Sequence, residues 1–271
     1  MVGWDRRPTV LRLVGRAWWS AWDGLKAMPL LLGTVIVLGA VVQAFFFHTV
    51  PLNRALDMPQ VAAFGVSSLG LHFAARLVSI LLLSALAAPA AAAMYRFILL
   101  GEVTRGLPSY GQAHTRQLFV WTAGLWAAYT VAHRFPLVLS SVMFTRRLSE
   151  LIMLAISLVV IVQLSMVFPA IVLGAPARSL EKRIDASIRL MEGNFWRMAA
   201  AFVLALIPLL ALHLLALLIA TGGHLRLVRQ MSDPANPARL ALGLTTGATD
   251  MVAVLVVASL LAWFYAWVRR D

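Results

Sequence analysis

The feature that most restricts this chain is a series of apolar runs, each long enough to cross a lipid bilayer. They are Pro29–Phe47, Leu77–Tyr95 (continuing to Leu100), Leu118–Ala132 with an extension, Leu151–Leu173, Met198–Ala220 and Met251–Val268. A bilayer's hydrocarbon core is about 30 Å thick and a helix rises about 1.5 Å per residue, so about 20 apolar residues suffice. Hydrocarbon offers no partner to a peptide group, so each run must satisfy its own backbone as a helix. The runs therefore predict an all-α fold, a polytopic membrane helical bundle with six transmembrane helices. The spans expected are about 29–48, 77–100, 118–139, 150–173, 197–221 and 248–268, in a single membrane domain over 1–271. A cleaved signal peptide is the rival reading of the first run. Its charged region would cover about 28 residues and no small-x-small cleavage site follows, so a retained helix is expected.

Charge supports the same class. Only 13% of the 271 residues are charged, against about 25% in soluble domains. The net charge of +12 comes almost wholly from arginine, which supplies 21 of the 23 basic residues, mostly in short segments beside the apolar runs. That is the placement of topology signals, and no aromatic-basic module for nucleic acid is visible. One set of alternate segments holds 15 Lys and Arg, including Arg6, Arg12, Lys26, Arg96, Arg183 and Arg269. The other holds 8, among them Arg54, Arg76, Arg134 and Arg239. The bias predicts that both termini are cytoplasmic, as an even number of spans requires. There is no cysteine, which excludes disulfides and thiolate chemistry.

Two further segments have helical amphipathicity without the length of a span. Over 8–27, Val10, Val14, Ala17, Trp18, Ala21 and Leu25 share one face, and Arg12, Arg16, Ser20 and Asp23 another. Over 178–196, Leu180, Ile184, Ile188, Met191 and Phe195 oppose Glu181, Asp185, Arg189 and Glu192. Both are expected to lie at the interface, with Trp18, Trp19 and Trp22 at headgroup depth and cations toward anionic lipid. A shift of 169 residues lays the first amphipathic segment on the second, the first span on the fifth and the second span on the sixth. This fits either a parallel duplication or two independent interfacial helices.

Polar residues inside the runs are the candidates for function, because burying a charge in hydrocarbon costs about 2.5–3.5 kcal/mol on insertion scales. Arg96, in AMYRFILLGE, lies four residues from the cytoplasmic end of its run, about 6 Å, within snorkelling reach. It is read as an interfacial anchor, or more sharply as a partner of Asp23 or Glu192. In YTVAHRFPLVL, Arg134 lies about 9 Å outward of its span's midplane. At comparable depth stand Gln43, His133, His213 and Asp250. Either Arg134 pairs with Asp250 in a periplasm-facing polar pocket, or the two cap helix ends at the outer interface. Pro89, Pro169 and Pro208 predict kinks, and the small residues of SALAAPAAAAMY predict a central, closely packed second span.

The segment LEKRIDASIRLMEGNFWRMAAAFVLALIPLL, with the N-terminal amphipathic helix and AMYRFILLGE, resembles bacterial six-span inner-membrane proteins. These are related to the membrane domain of glycerophosphodiester phosphodiesterases. The resemblance implies a multi-pass fold in the bacterial inner (cytoplasmic) membrane and a link to the envelope or lipids. It carries over no catalytic residue, since no soluble phosphodiesterase domain is attached. The residues themselves hold no HExxH, Gly-x-Ser-x-Gly or Walker pattern. No enzyme activity, metal or cofactor is expected. Expected partners are membrane lipids with anionic headgroups, another membrane protein in addition, and no nucleic acid. The function expected is non-catalytic, lipid- or envelope-associated. The alternative is a permease for a lipid-like or small amphiphilic solute entering through the Arg134–Asp250 pocket.

Overall fold

A computed structural model describes the backbone of residues 9–49, 66–106, 110–139, 143–174, 180–220 and 237–269. Among these residues there are helices and short turns and no strand. In chain order the helices are α1 (Val10–Ala27), α2 (Pro29–Thr49), α3 (Val66–Leu100) and α4 (Ala113–Leu139). They continue as α5 (Met143–Leu164), α6 (Val167–Val172), α7 (Leu180–Met191), α8 (Phe195–Ala220) and α9 (Pro237–Val268). The all-α bundle expected from the apolar runs is the fold observed.

Local chemistry sets the boundaries. Thr9 caps α1, its Oγ1 accepting from the Arg12 N–H at 3.4 Å. Pro29 then divides α1 from α2. A residue before proline is driven out of the helical region, and Met28 sits at φ −130, ψ 53. Proline is itself well suited to open a helix, and Pro29 and Pro237 are the first residues of α2 and α9. Gly101 ends α3 at φ +71, a left-handed conformation that favours glycine. The expected fourth span is interrupted at Ser165–Met166, just before Pro169, into α5 and the short α6. The expected interfacial helix 178–196 is shorter in the described residues. It ends at Met191, and after a turn the fifth span begins at Phe195.

Five helical segments are long and apolar enough to cross a membrane: Pro29–Phe46, Ala75–Leu100, Ala155–Val172, Phe195–Ile219 and Arg239–Val268. The chain is a multi-pass membrane protein. The sixth expected span, 118–139, lies in the 27-residue α4. That helix has the length but is diluted by Thr122, Gly124, Tyr129, Thr130, His133 and Arg134. Contacts fix its direction relative to α5. Near the start of α4, Gln117 Oε1 accepts from Arg183 Nη1 of α7 at 3.0 Å. Near the end of α5, the Gln163 carbonyl accepts from Ser187 Oγ of α7 at 2.5 Å. The two helices pack together and run antiparallel, α4 departing from the level of α7 and α5 returning to it.

The bundle is built around α9, which packs most extensively on α2 and also meets α1, α3 and α8. The apolar windows of α3 and α9 are 61% buried, whereas that of α8 is 17% buried. Since α8 is apolar all round, its exposed Val203, Leu206, Ile207, Leu210, Leu214 and Leu218 form a hydrocarbon-facing wall. In α3 the small-residue stretch is central, with Ala87, Ala88, Ala90, Ala92 and Ala93 all buried.

The helix α1 is a member of this bundle. Leu13, Ala17, Ala21 and Gly24 are buried, at spacings of four, four and three residues. This stripe packs against α9 and α8. Trp263 Nε1 donates to Ser20 Oγ at 2.8 Å, and Trp18 Nε1 donates to the Ala205 carbonyl at 3.2 Å. Arg16 stacks over the Trp263 ring at 5.7 Å. The face expected to enter lipid, with Val10, Val14, Ala17, Trp18, Ala21 and Leu25, is therefore packed on protein instead. The small Ala17 and Ala21 let α1 approach closely, while Leu11, Trp19 and Trp22 stand on another side of the helix and are exposed.

The 169-residue shift is visible in the segmentation. It carries α2 onto 198–218 within α8, and α3 onto 235–269 against Pro237–Val268. The packing does not repeat it: α1 sits on α8 and α9, whereas its counterpart α7 sits on α5 and α6.

Candidate functional site

Two places gather polar groups, one inside the membrane-spanning bundle and one at the end where α3 and α9 finish. The inner place is created by the crossing of α2 and α9. A β-carbon added to Gly247 would stand 2.2 Å from the Gly39 carbonyl oxygen and 2.7 Å from Ala40 Cα. The two backbones touch there, which only glycine permits. Beside this contact, four residues along α2 from Gly39 and three along the antiparallel α9 from Gly247, Gln43 and Asp250 are brought together, and Gln43 Nε2 donates to Asp250 Oδ2 at 3.1 Å. Gln43 is buried and Asp250 half-buried. His213 of α8 lies on the same side, its Nδ1 3.5 Å from Thr246 Oγ1, one turn from Asp250. Thr246 and Thr249 direct their hydroxyls to carbonyls of their own helix, Leu242 and Thr245 among them. Their hydroxyl protons are thereby satisfied without a partner from outside α9.

Three of the five residues singled out from the sequence, Gln43, His213 and Asp250, are thus neighbours, and the described partner of Asp250 is Gln43. Arg76 and His213 lie within electrostatic reach of that carboxylate. His133 and Arg134 fall in α4, with side chains outside the described residues, as does the expected Arg134–Asp250 pair.

At the other end, Arg96 has a different partner from those expected. Its Nη2 donates to Glu102 Oε2, and the Glu102 N–H returns to the Arg96 carbonyl at 3.3 Å. The positive φ of Gly101 folds the chain back and makes Glu102 the nearest acid. Asp23 and Glu192 stay exposed, and Arg96 does not pin α1 or α7. His114, at the start of α4, lies beside this pair. Burial holds its imidazole below the usual histidine range, the Arg96 charge adds to that, and Glu102 opposes it.

The nearby Tyr110 has a role that spacing alone does not announce. Pro89 lacks an N–H, so the carbonyl four residues back, Ala85, loses its helical donor. The Tyr110 hydroxyl donates to that carbonyl, and its ring meets Phe119 edge-on at 6.0 Å. Partial burial pushes the phenol up to about 12. The pairing was foreshadowed only by a proline inside a span followed by a tyrosine in the next polar link. A second residue not singled out is Arg239. From sequence it counts among outer-side topology signals, but it is 2% exposed, the bulkiest of the fully buried side chains.

Among the described residues no group of three or more His, Cys, Asp or Glu is placed to hold a metal ion. Compared with protein families, curated proteins and solved structures, the chain matches none.

Proposed function

We propose that this protein is a six-span, non-catalytic component of a bacterial inner membrane that engages anionic lipid at the face bearing α1. The observation that carries the reading is the divided surface of α1. Its small-residue stripe is held by the bundle. Its opposite side carries Leu11, Trp19 and Trp22, exposed at 71%, 68% and 51%, beside exposed Arg12 and Lys26. Lys26 Nζ lies 5.3 Å from the centre of the Trp22 ring. Indole rings with adjacent cations suit the headgroup layer, where the ring is half-solvated and the cation meets phosphate. Trp196 at the start of α8, 81% exposed, extends the aromatic belt. The sixth crossing is α4, supported by its antiparallel pairing with α5.

Lipids brominated near the headgroup test this. In bilayers containing phosphatidylglycerol, the fluorescence contributed by Trp19 and Trp22 should be quenched more than in phosphatidylcholine alone. That contribution is isolated by difference from a Trp19→Phe/Trp22→Phe variant. Arg12→Gln with Lys26→Gln should remove the preference. Equal quenching in both bilayers would defeat the reading.

The permease alternative rests on the Gln43–Asp250–His213 group. It requires these residues to line a solute path, whereas Gln43 is 5% exposed and already bonded.

A further inference from the structure

We infer that a groove formed where α3, α6 and α9 end is a binding site for the phosphate and one acyl chain of an anionic phospholipid. This rests on the lipid-engaging reading above and adds a defined site away from α1. The groove has a volume of about 370 Å³ and is lined by Leu99, Leu173, Tyr265, Ala266 and Arg269, at the small end of ligand-site sizes. Leu99, Leu173 and Ala266 supply an apolar wall that suits a hydrocarbon chain.

Two donors stand at its head. Arg269 Cζ lies 5.8 Å from the centre of the Tyr265 ring, so the guanidinium is held over an aromatic face. Among the described residues no carboxylate pairs with it. Its guanidinium has the fork geometry that suits phosphate. Tyr265 is 5% exposed and lines the groove beside Arg269. A tyrosine hydroxyl in an otherwise apolar wall offers a hydrogen bond to a ligand's oxygen. A phosphate oxygen there would satisfy the Tyr265 hydroxyl and the Arg269 guanidinium together.

The occupant is a lipid and not a soluble phosphate. The groove opens at the end of the bundle where α1 also docks, as the Ser20–Trp263 bond on the same helix end requires, and its wall is apolar. The net charge of +12 favours an anionic headgroup.

The test uses the full chain in mild detergent with palmitoyl-oleoyl phosphatidylglycerol and phosphatidylcholine supplied equally, retained lipid being read by native mass spectrometry. One phosphatidylglycerol per chain should be retained preferentially. Arg269→Gln should weaken its retention about tenfold, as loss of a charge-assisted bond implies. Arg269→Lys should restore part of it, and Tyr265→Phe should weaken it several-fold while keeping the ring. Arg12→Gln/Lys26→Gln, on α1, should leave this single lipid in place. Retention unchanged in Arg269→Gln but lost in the α1 variant would overturn the groove and leave the α1 reading standing. No preference for phosphatidylglycerol in the unsubstituted chain would overturn the groove, while the bromolipid experiment would still judge α1 by itself. Displacement by glycerol 3-phosphate at equal concentration would overturn the lipid assignment.

Discussion

Replacing Gly247 by alanine tests how closely α2 and α9 are packed. The new β-carbon would lie 2.2 Å from the Gly39 oxygen, and 2.7 Å from both Gly39 C and Ala40 Cα. All three are backbone atoms, so no rotamer change relieves the clash. To reach an ordinary contact of 3.4 Å, the helices must part locally by about 1 Å. Overpacking of this kind costs about 1–3 kcal/mol, and an unyielding backbone places the site toward the upper end. Alanine recovers up to about 1 kcal/mol of helix propensity. Parting the helices also stretches the 3.1 Å Gln43–Asp250 bond, worth about 0.6 kcal/mol for a bond of this sort in a membrane bundle. The expected net loss is about 2 kcal/mol, measured by reversible unfolding in mixed micelles. Gly39→Ala should cost less, since its β-carbon meets Met251 Cγ at 2.3 Å and a methionine side chain can retreat. Gly33→Ala, with nothing within 4 Å, should be neutral or stabilising. If Gly247→Ala proved no worse than Gly33→Ala, the close crossing would be wrong, and with it the reason Gln43 reaches Asp250.

Other expectations follow from single contacts. A double-mutant cycle on Gln43→Leu and Asp250→Leu should return a coupling of about 0.6–1.7 kcal/mol in unfolding free energy; additivity would mean the bond contributes nothing. Tyr110→Phe should destabilise the chain by about 1 kcal/mol when Pro89 is present. It should have little effect in a Pro89→Ala background, where the Ala85 carbonyl regains a backbone donor; equal effects in both would refute the pairing. His114 has a folded-state affinity for protons below that of the unfolded chain. The unfolded state thus takes up a proton first as pH falls below about 6.5. Stability should drop over that window and His114→Gln should flatten the drop, as unfolding curves between pH 7.5 and 5 will report.

How much of this was readable beforehand depends on the length scale of the signal. The spans were legible because a bilayer imposes its thickness on the sequence, and the ends at Pro29 and Gly101 follow from backbone sterics. Gln43, His213 and Asp250 could be set at comparable depth, because depth in a membrane can be counted along each helix. Lateral position was not legible. Depth alone cannot say that α2, and not another helix, lies against Asp250. That information resides in Gly39 and Gly247, whose meaning appears only when the two helices are paired. The Arg96 partner was missed because Asp23 and Glu192 share its depth, while Glu102 is reached only through the reversal at Gly101. The face of α1 was misjudged for a related reason. An Ala/Gly stripe and an interfacial stripe are both apolar at helical spacing, and only the smallness of Ala17, Ala21 and Gly24 separates contact with protein from contact with lipid.

The central claim is that α1, α7 and the ends of α3 and α9 share one side of the membrane, with α2, α3, α8 and α9 crossing to the other. Because the chain has no cysteine, single substitutions report position without background. In sealed vesicles of one orientation, an impermeant maleimide should label Arg12→Cys, Glu102→Cys, Glu181→Cys and Arg269→Cys from the same side. It should label Arg76→Cys only from the opposite side. Labelling of Arg76→Cys together with Arg12→Cys, or of Arg12→Cys and Arg269→Cys from opposite sides, would contradict the account.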